Sequence, residues 1–143
     1  MSENRPLHLC NCAVVDDNAP VPVSNFKLQQ WPVMLWKISP TAPYFHNAHL
    51  LILADCACLS YGNLLESLVG RISLMCCPEA DVEITLKIAD ILKYNDIRSI
   101  TVVRADDKCC AELTDMVTRA IKMARKSVHV RSTIAFIECE IVD

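Results

Sequence analysis

Nine cysteines are the residues of this chain best equipped for chemistry: Cys10, Cys12, Cys56, Cys58, Cys76, Cys77, Cys109, Cys110 and Cys139. A thiolate is a nucleophile and a soft metal ligand, so such a set points to zinc, an iron–sulfur cluster or thiol redox chemistry. No two of them stand in a C-x-x-C spacing, which removes the local signatures of zinc ribbons and bacterial ferredoxins. What distinguishes the set is its grouping in close pairs, at 56 and 58, at 76 and 77, and at 109 and 110.

Other chemistries find little support. The chain has two glycines, Gly62 and Gly70, so neither a GxGxxG turn nor a Walker loop is present, and a nucleotide held by a glycine-rich turn is excluded. No serine stands on a recognisable nucleophile elbow. The 14 basic and 17 acidic residues give a net charge of −3, whereas a nucleic-acid binder shows a basic face. The nearest approach to one, Arg119, Lys122, Arg125, Lys126, His129 and Arg131, reads as a cationic helix end complementing the helix dipole. No run reaches the about 20 apolar residues of a membrane span; the richest, AHLLILADCACL, is interrupted by Asp55. The odd cysteine total and the absence of a hydrophobic leader after Met1 suggest a reducing cytoplasmic setting rather than a secreted disulfide scaffold.

The elements that must position these thiols follow from periodicity. With 143 residues, 52% of them hydrophobic, the chain supports one globular domain with a real core. Six of the seven prolines precede residue 44, so residues 1–27 read as an extended arm and 28–143 as a single α/β domain. Strands are expected at 33–38, 48–55, 72–77, 99–105 and 133–142. Helices are expected at 61–71, with Leu64, Leu65, Leu68 and Val69 on one side, at 79–94 on Ile84, Ile88, Ile91 and Leu92, and at 111–126 on Leu113, Met116, Val117, Ala120, Ile121 and Ala124. Strands alternating with helices imply a three-layer fold, a mostly parallel sheet of about five strands with helices on both faces and right-handed crossovers.

That topology gives the cysteine pairs a common address. Each pair lies at or just after the end of a strand, and the carboxyl ends of neighbouring parallel strands share one edge, where ligand sites form. Each pair also precedes a helix, whose N-terminus lowers thiol pKa values. Cys76 inside its strand and Cys139 on the apolar face of the last strand read instead as small buried hydrophobes. His46 and His49 enter the second strand from the opposite edge and read as surface residues. Asp55 is suited to capping the turn after it or orienting a ligand, Asp106 and Asp107 to a solvated loop, and Trp31 and Trp36 to packing the core or holding the arm.

The blocks LQQWPVMLWKISPTAPYF (28–45), LLILADC (50–56), CCP (76–78) and NDIRSITVVRADDKCCAEL (95–113) resemble a domain of 4Fe-4S ferredoxin and iron–sulfur cluster-binding oxidoreductase proteins of anaerobic bacteria, where it follows an N-terminal ferredoxin module. The similarity spans residues 28–142 and keeps the order of the blocks. It implies that Cys56 stands for the cysteine of an Ala-Asp-Cys motif, Cys77 for that of Gly-Cys-Pro, and Cys109 and Cys110 for those of Pro-Cys-Cys-Gly-Gly. The chain departs from the pattern where Cys76 replaces the glycine of Gly-Cys-Pro, where KCCAEL lacks both glycines, and where NLLESL stands in place of an aromatic–His pair.

The resulting expectation is an iron–sulfur protein of electron transfer, with Cys56, Cys77, Cys109 and Cys110 as ligands of a 4Fe-4S cluster and a ferredoxin or oxidoreductase subunit as partner. Three alternatives remain at this stage: a structural or regulatory zinc–thiolate site, a metal-free interaction module whose cysteines only pack, and a reactive dithiol at Cys109 and Cys110. Whether Cys10, Cys12 or Cys58 contributes a ligand is left open, as is whether the chain is an enzyme.

Overall fold

The computed structural model describes residues 30, 32–58, 64–81 and 83–135. The expected arm at 1–27, Trp31 and Cys139 lie outside them. Five strands form one sheet: β1 (Val33–Met34), β2 (His49–Ala54), β3 (Ile72–Cys76), β4 (Ser99–Ala105) and β5 (His129–Ala135). Three helices connect them, α1 (Leu64–Leu68), α2 (Ile84–Tyr94) and α3 (Leu113–Ala124). The sheet order is β1-β3-β2-β4-β5 and every pairing is parallel, as the alternation of strands and helices implies.

Burial explains the order. From Leu50 to Ala54, β2 is buried on both faces, which suits a central strand covered by helices on each side. Each of its leucines contributes about 2 kcal/mol by leaving water. The flanking strand β5 is exposed or partly buried from His129 to Ile134, as an edge strand is. α2 turns Ile84, Ile88, Ala89, Ile91 and Leu92 into the core, while α3 turns in Leu113, Val117 and Ala120. α2 and α3 pack against each other.

Several element boundaries differ from those expected, each for a local reason. The segment 33–38 pairs with β3 only at Val33 and Met34, then turns as a 3₁₀ helix over Leu35–Lys37. Trp36 is 61% exposed there, with the Lys37 ammonium 5.1 Å from its ring, so it does not pack the core. α2 starts at Ile84 rather than 79 because Cys77–Asp81 forms a turn, closed by the amides of Ala80 and Asp81 on the Cys77 carbonyl. Val69 is exposed just past the end of α1, and Gly70 takes the left-handed conformation (φ +73°) that lets the chain turn into β3. β5 begins four residues before the expected strand, at His129, and residues 136–143 lie outside the description. The basic residues near the end of α3 behave as a helix terminus: Lys122 lies in the last turn, Arg125 caps it and Lys126 pairs with Asp96 at 3.8 Å.

Candidate thiol site at the carboxyl edge of the sheet

The chain passes from β2 to β3 on one side, then crosses back over β2 to reach β4 on the other. β2 and β4 therefore bound the crevice at which the direction of winding reverses, the position where open parallel sheets receive ligands. Their carboxyl ends each run into a single 3₁₀ turn, Asp55–Ala57 after β2 and Lys108–Cys110 after β4. Pairing of Leu53 with Val103 brings the two turns to the same level.

The two turns carry thiols to one point. The sulfurs of Cys56 and Cys110 are 3.0 Å apart, across 54 residues of sequence. Cys56 is exposed and Cys110 is fully buried. Local hydrogen bonds hold each in place. The Asp55 carboxylate accepts the Cys56 amide at 2.7 Å from within the turn, whose cap position is Ala54. The Asp107 carbonyl accepts the Cys110 amide at 3.2 Å, and the Asp106 amide is tied to the Ala135 carbonyl of β5. Three residues beyond Cys110, Leu113 anchors the start of α3 in the core.

The β3 thiols occupy a different environment. Cys76 lies opposite Ala54 in the sheet and has no exposed surface. Burial pushes its thiol up to about 12, with Asp81, Asp55, Cys77 and Cys56 adding to the rise in that order. This reverses, for Cys76, the lowering expected from a following helix, because α2 begins eight residues away and the core surrounds the sulfur. Cys77 is partly exposed just past the strand, its amide bound to the Asp81 carboxylate at 2.8 Å. The Cys58 thiol lies 3.5 Å from the Met75 sulfur.

A family model for a Rossmann-like domain matches residues 42–143, more than two thirds of the chain. The chain belongs to the Rossmann-like domain family. No curated protein and no solved structure matches it. Dinucleotide-binding folds of this architecture place a glycine-rich turn after the first strand of the βαβ unit. In this Rossmann-like domain the corresponding turn, after β2, reads Asp55-Cys56-Ala57-Cys58. Thiols occupy the switch point where glycines would admit a pyrophosphate.

Of the four expected ligands, Cys56 and Cys110 meet, and Cys77 sits at the end of the strand beside them. Cys109 has its backbone in the same turn as Cys110, and its side chain lies outside the description. Among the described residues, no group of three or more His, Cys, Asp and Glu side chains is gathered closely enough to hold one metal ion. His46 and His49 lie at the amino edge as expected; the His49 ring hydrogen-bonds the Ser99 hydroxyl at 2.6 Å. Asp106 and Asp107 are exposed, as a solvated loop requires.

Sequence reasoning missed Asp81, which fixes the turn after β3 and lines a cleft of about 120 Å³ with Leu35, Trp36, Glu83, Ile84 and Lys87. A signal existed, since Pro78 followed by an acidic residue four positions after Cys77 is the composition of a carboxylate-closed turn. No helix of the described residues is long and apolar enough to cross a membrane.

Proposed function

We propose that this Rossmann-like domain carries a thiolate metal centre at its switch point, a 4Fe-4S cluster held by Cys56, Cys77, Cys109 and Cys110. It would serve electron transfer in the cytoplasm with a ferredoxin or oxidoreductase subunit. The observation that carries the reading is the meeting of Cys56 and Cys110 at 3.0 Å from two separate turns. Convergence of soft donors from distant sequence positions is what a thiolate metal site requires and what simple core packing does not. The resemblance to ferredoxin-associated domains supports the choice of iron and sulfide, and supplies Cys77 and Cys109 as the remaining ligands. An iron–sulfur centre contributes one-electron chemistry, and its potential follows from hydrogen bonds and solvent exposure at the sulfurs.

The protein's own contribution is positional. Asp55 and Asp81 hold the amides of Cys56 and Cys77, fixing the two turns on either side of Cys76. Cys76 stays protonated inside the core and takes no part as a ligand.

Metal and sulfide analysis with a visible spectrum, on protein purified without oxygen, tests the reading. About four irons and four sulfides per chain, with absorbance near ~400 nm that bleaches on reduction, are expected. Cys56→Ser and Cys77→Ser should release iron while Cys139→Ser retains it. Equal iron retention in all three variants sinks the ligand assignment. One zinc per chain without colour would make the site structural instead.

A further inference from the structure

We propose that Cys56 and Cys110 form a reversible disulfide, with a low-molecular-weight disulfide as the oxidant. This reading uses two of the thiols assigned above as ligands, and it needs no metal to hold. Their sulfurs lie 3.0 Å apart, about 1 Å more than a covalent S–S bond. Both thiols sit on short turns anchored at the end of a strand, so a small movement of either turn closes the remaining gap.

Exposure assigns the order of events. Cys56 is exposed and meets the oxidant, whereas Cys110 is buried beneath it. The Cys56 thiolate attacks one sulfur of the small disulfide RSSR, forming a mixed disulfide and releasing one thiolate RS⁻. The Cys110 thiolate then displaces the second RS⁻ and forms the Cys56–Cys110 bond. Two protein thiols are oxidised, one RSSR is reduced to two RSH, and the protons of the cysteines pass to the leaving thiolates. Two of the other described thiols compete poorly. Cys76 is buried with its pKa pushed up to about 12, and Cys58 lies against Met75 at 3.5 Å. A pair joined by a disulfide cannot ligate metal, so the same geometry makes occupancy of the site dependent on thiol redox state.

The test treats the full reduced chain with glutathione disulfide, with and without a chelator, then alkylates, digests and maps the peptides by mass. The expected product links the Cys56 peptide to the Cys110 peptide and is reversed by dithiothreitol. In Cys56→Ser no such link forms, and Cys110 takes up no glutathione. In Cys110→Ala glutathione remains on Cys56. Should Cys110→Ala fail to fold, acid quenching of the parent chain at early times captures the same Cys56–glutathione adduct. Glutathione persisting on Cys56 in the parent chain, or a link from Cys56 to a different cysteine, overturns the proposal. The two readings fail separately. A chain free of iron that still forms the link loses only the metal centre, and an iron-binding chain that forms no link after chelation loses only the disulfide.

Discussion

Two pairs of cysteines at the same sheet edge show opposite outcomes. Cys76 and Cys77 are neighbours in sequence, yet one is sealed in the core and the other stands partly in solvent. Cys56 and Cys110 are 54 residues apart, and their sulfurs touch. In an extended segment successive side chains point to opposite faces, so adjacency at the end of β3 drives the two thiols apart. Parallel strands aligned in register do the reverse, bringing the turns after β2 and β4 together. The contrast teaches that a site on this sheet is assembled between strands rather than along them. Cys110 shows the same assembly between strands, for its contact runs to Cys56 across the crevice.

The strongest way to break the contrast is to place a charge on each side of it. Cys76→Asp puts a carboxylate into a site with no solvent contact and with Asp81 and Asp55 already nearby. A loss of about 4 kcal/mol or more is expected, read as a large fall in the urea midpoint. Cys56→Asp, on the exposed member of the other pair, should cost about 1 kcal/mol or less. Comparable losses at the two positions would mean that the environments are not distinct.

Oxidation comes next in size. A Cys56–Cys110 disulfide would close a loop spanning 54 residues and restrict the unfolded chain. The oxidised protein should gain about 3 kcal/mol over the reduced one, measured by urea denaturation with and without reductant. No gain, with the bond verified by mass, would show that closing the last ångström strains the two turns by as much as the link stabilises.

Much of this fold could be read from the residues, and the reasons are specific. β4 at 99–105 and the core faces of α2 and α3 follow the expected pattern because apolar periodicity is itself the packing requirement. The boundaries that shifted did so where hydrogen bonds override periodicity. The turn over Cys77–Asp81 delays α2, and the 3₁₀ turn at Leu35 cuts β1 to two residues. For the site, the sheet edge was foreseeable from strand order and Cys110 was expected in one set with Cys56, Cys77 and Cys109, whereas its direct contact with Cys56 was not singled out. Choosing Cys110 needed the register of β2 against β4 and the turn direction after each strand, neither of which leaves a mark in local sequence. The burial of Cys76 could be anticipated from its place inside a strand, and with it the upward direction of its pKa; the further rise from Asp81 and Asp55 could not, because it depends on which groups surround the sulfur.

A pH titration sharpens the same comparison with a gentler probe. The Cys76 thiol ordinarily ionises near 9.0, and in the folded chain it does so at about 12. Between these values the unfolded chain releases the proton while the folded chain keeps it, so deprotonation favours unfolding and stability falls as pH rises. The contribution is flat below pH 9 and declines by roughly 1.4 kcal/mol for each pH unit between pH 9 and about 12. Cys76→Ala should remove that part of the alkaline slope, whereas Cys56→Ala, which takes away only the smallest of the causes of the Cys76 shift, should leave most of it in place. The comparison of interest is the difference between the two variants' urea midpoints from pH 8 to pH 11, since other groups titrate equally in both.

The smallest expected effect separates global stability from local positioning. α3 ends at Arg125, a non-glycine residue in the left-handed region (φ 54°), with the Arg125 amide on the Lys122 carbonyl and the Lys126 amide on the Ile121 carbonyl. This is a Schellman closure built on a residue that carries a Cβ, and glycine adopts the same conformation without that steric cost. Arg125→Gly should raise stability by about 0.5–1 kcal/mol, after the added freedom of the unfolded chain is set against the strain removed. Cys110 lies at the other end of the same helix, three residues before Leu113. If the thiol contact is fixed by the local turns after β2 and β4, the yield of the Cys56–Cys110 link should stay unchanged while the melting temperature rises. A yield that climbs with stability would instead tie the contact to movement of α3 as a whole, and the site would then be coupled to the far end of the helix.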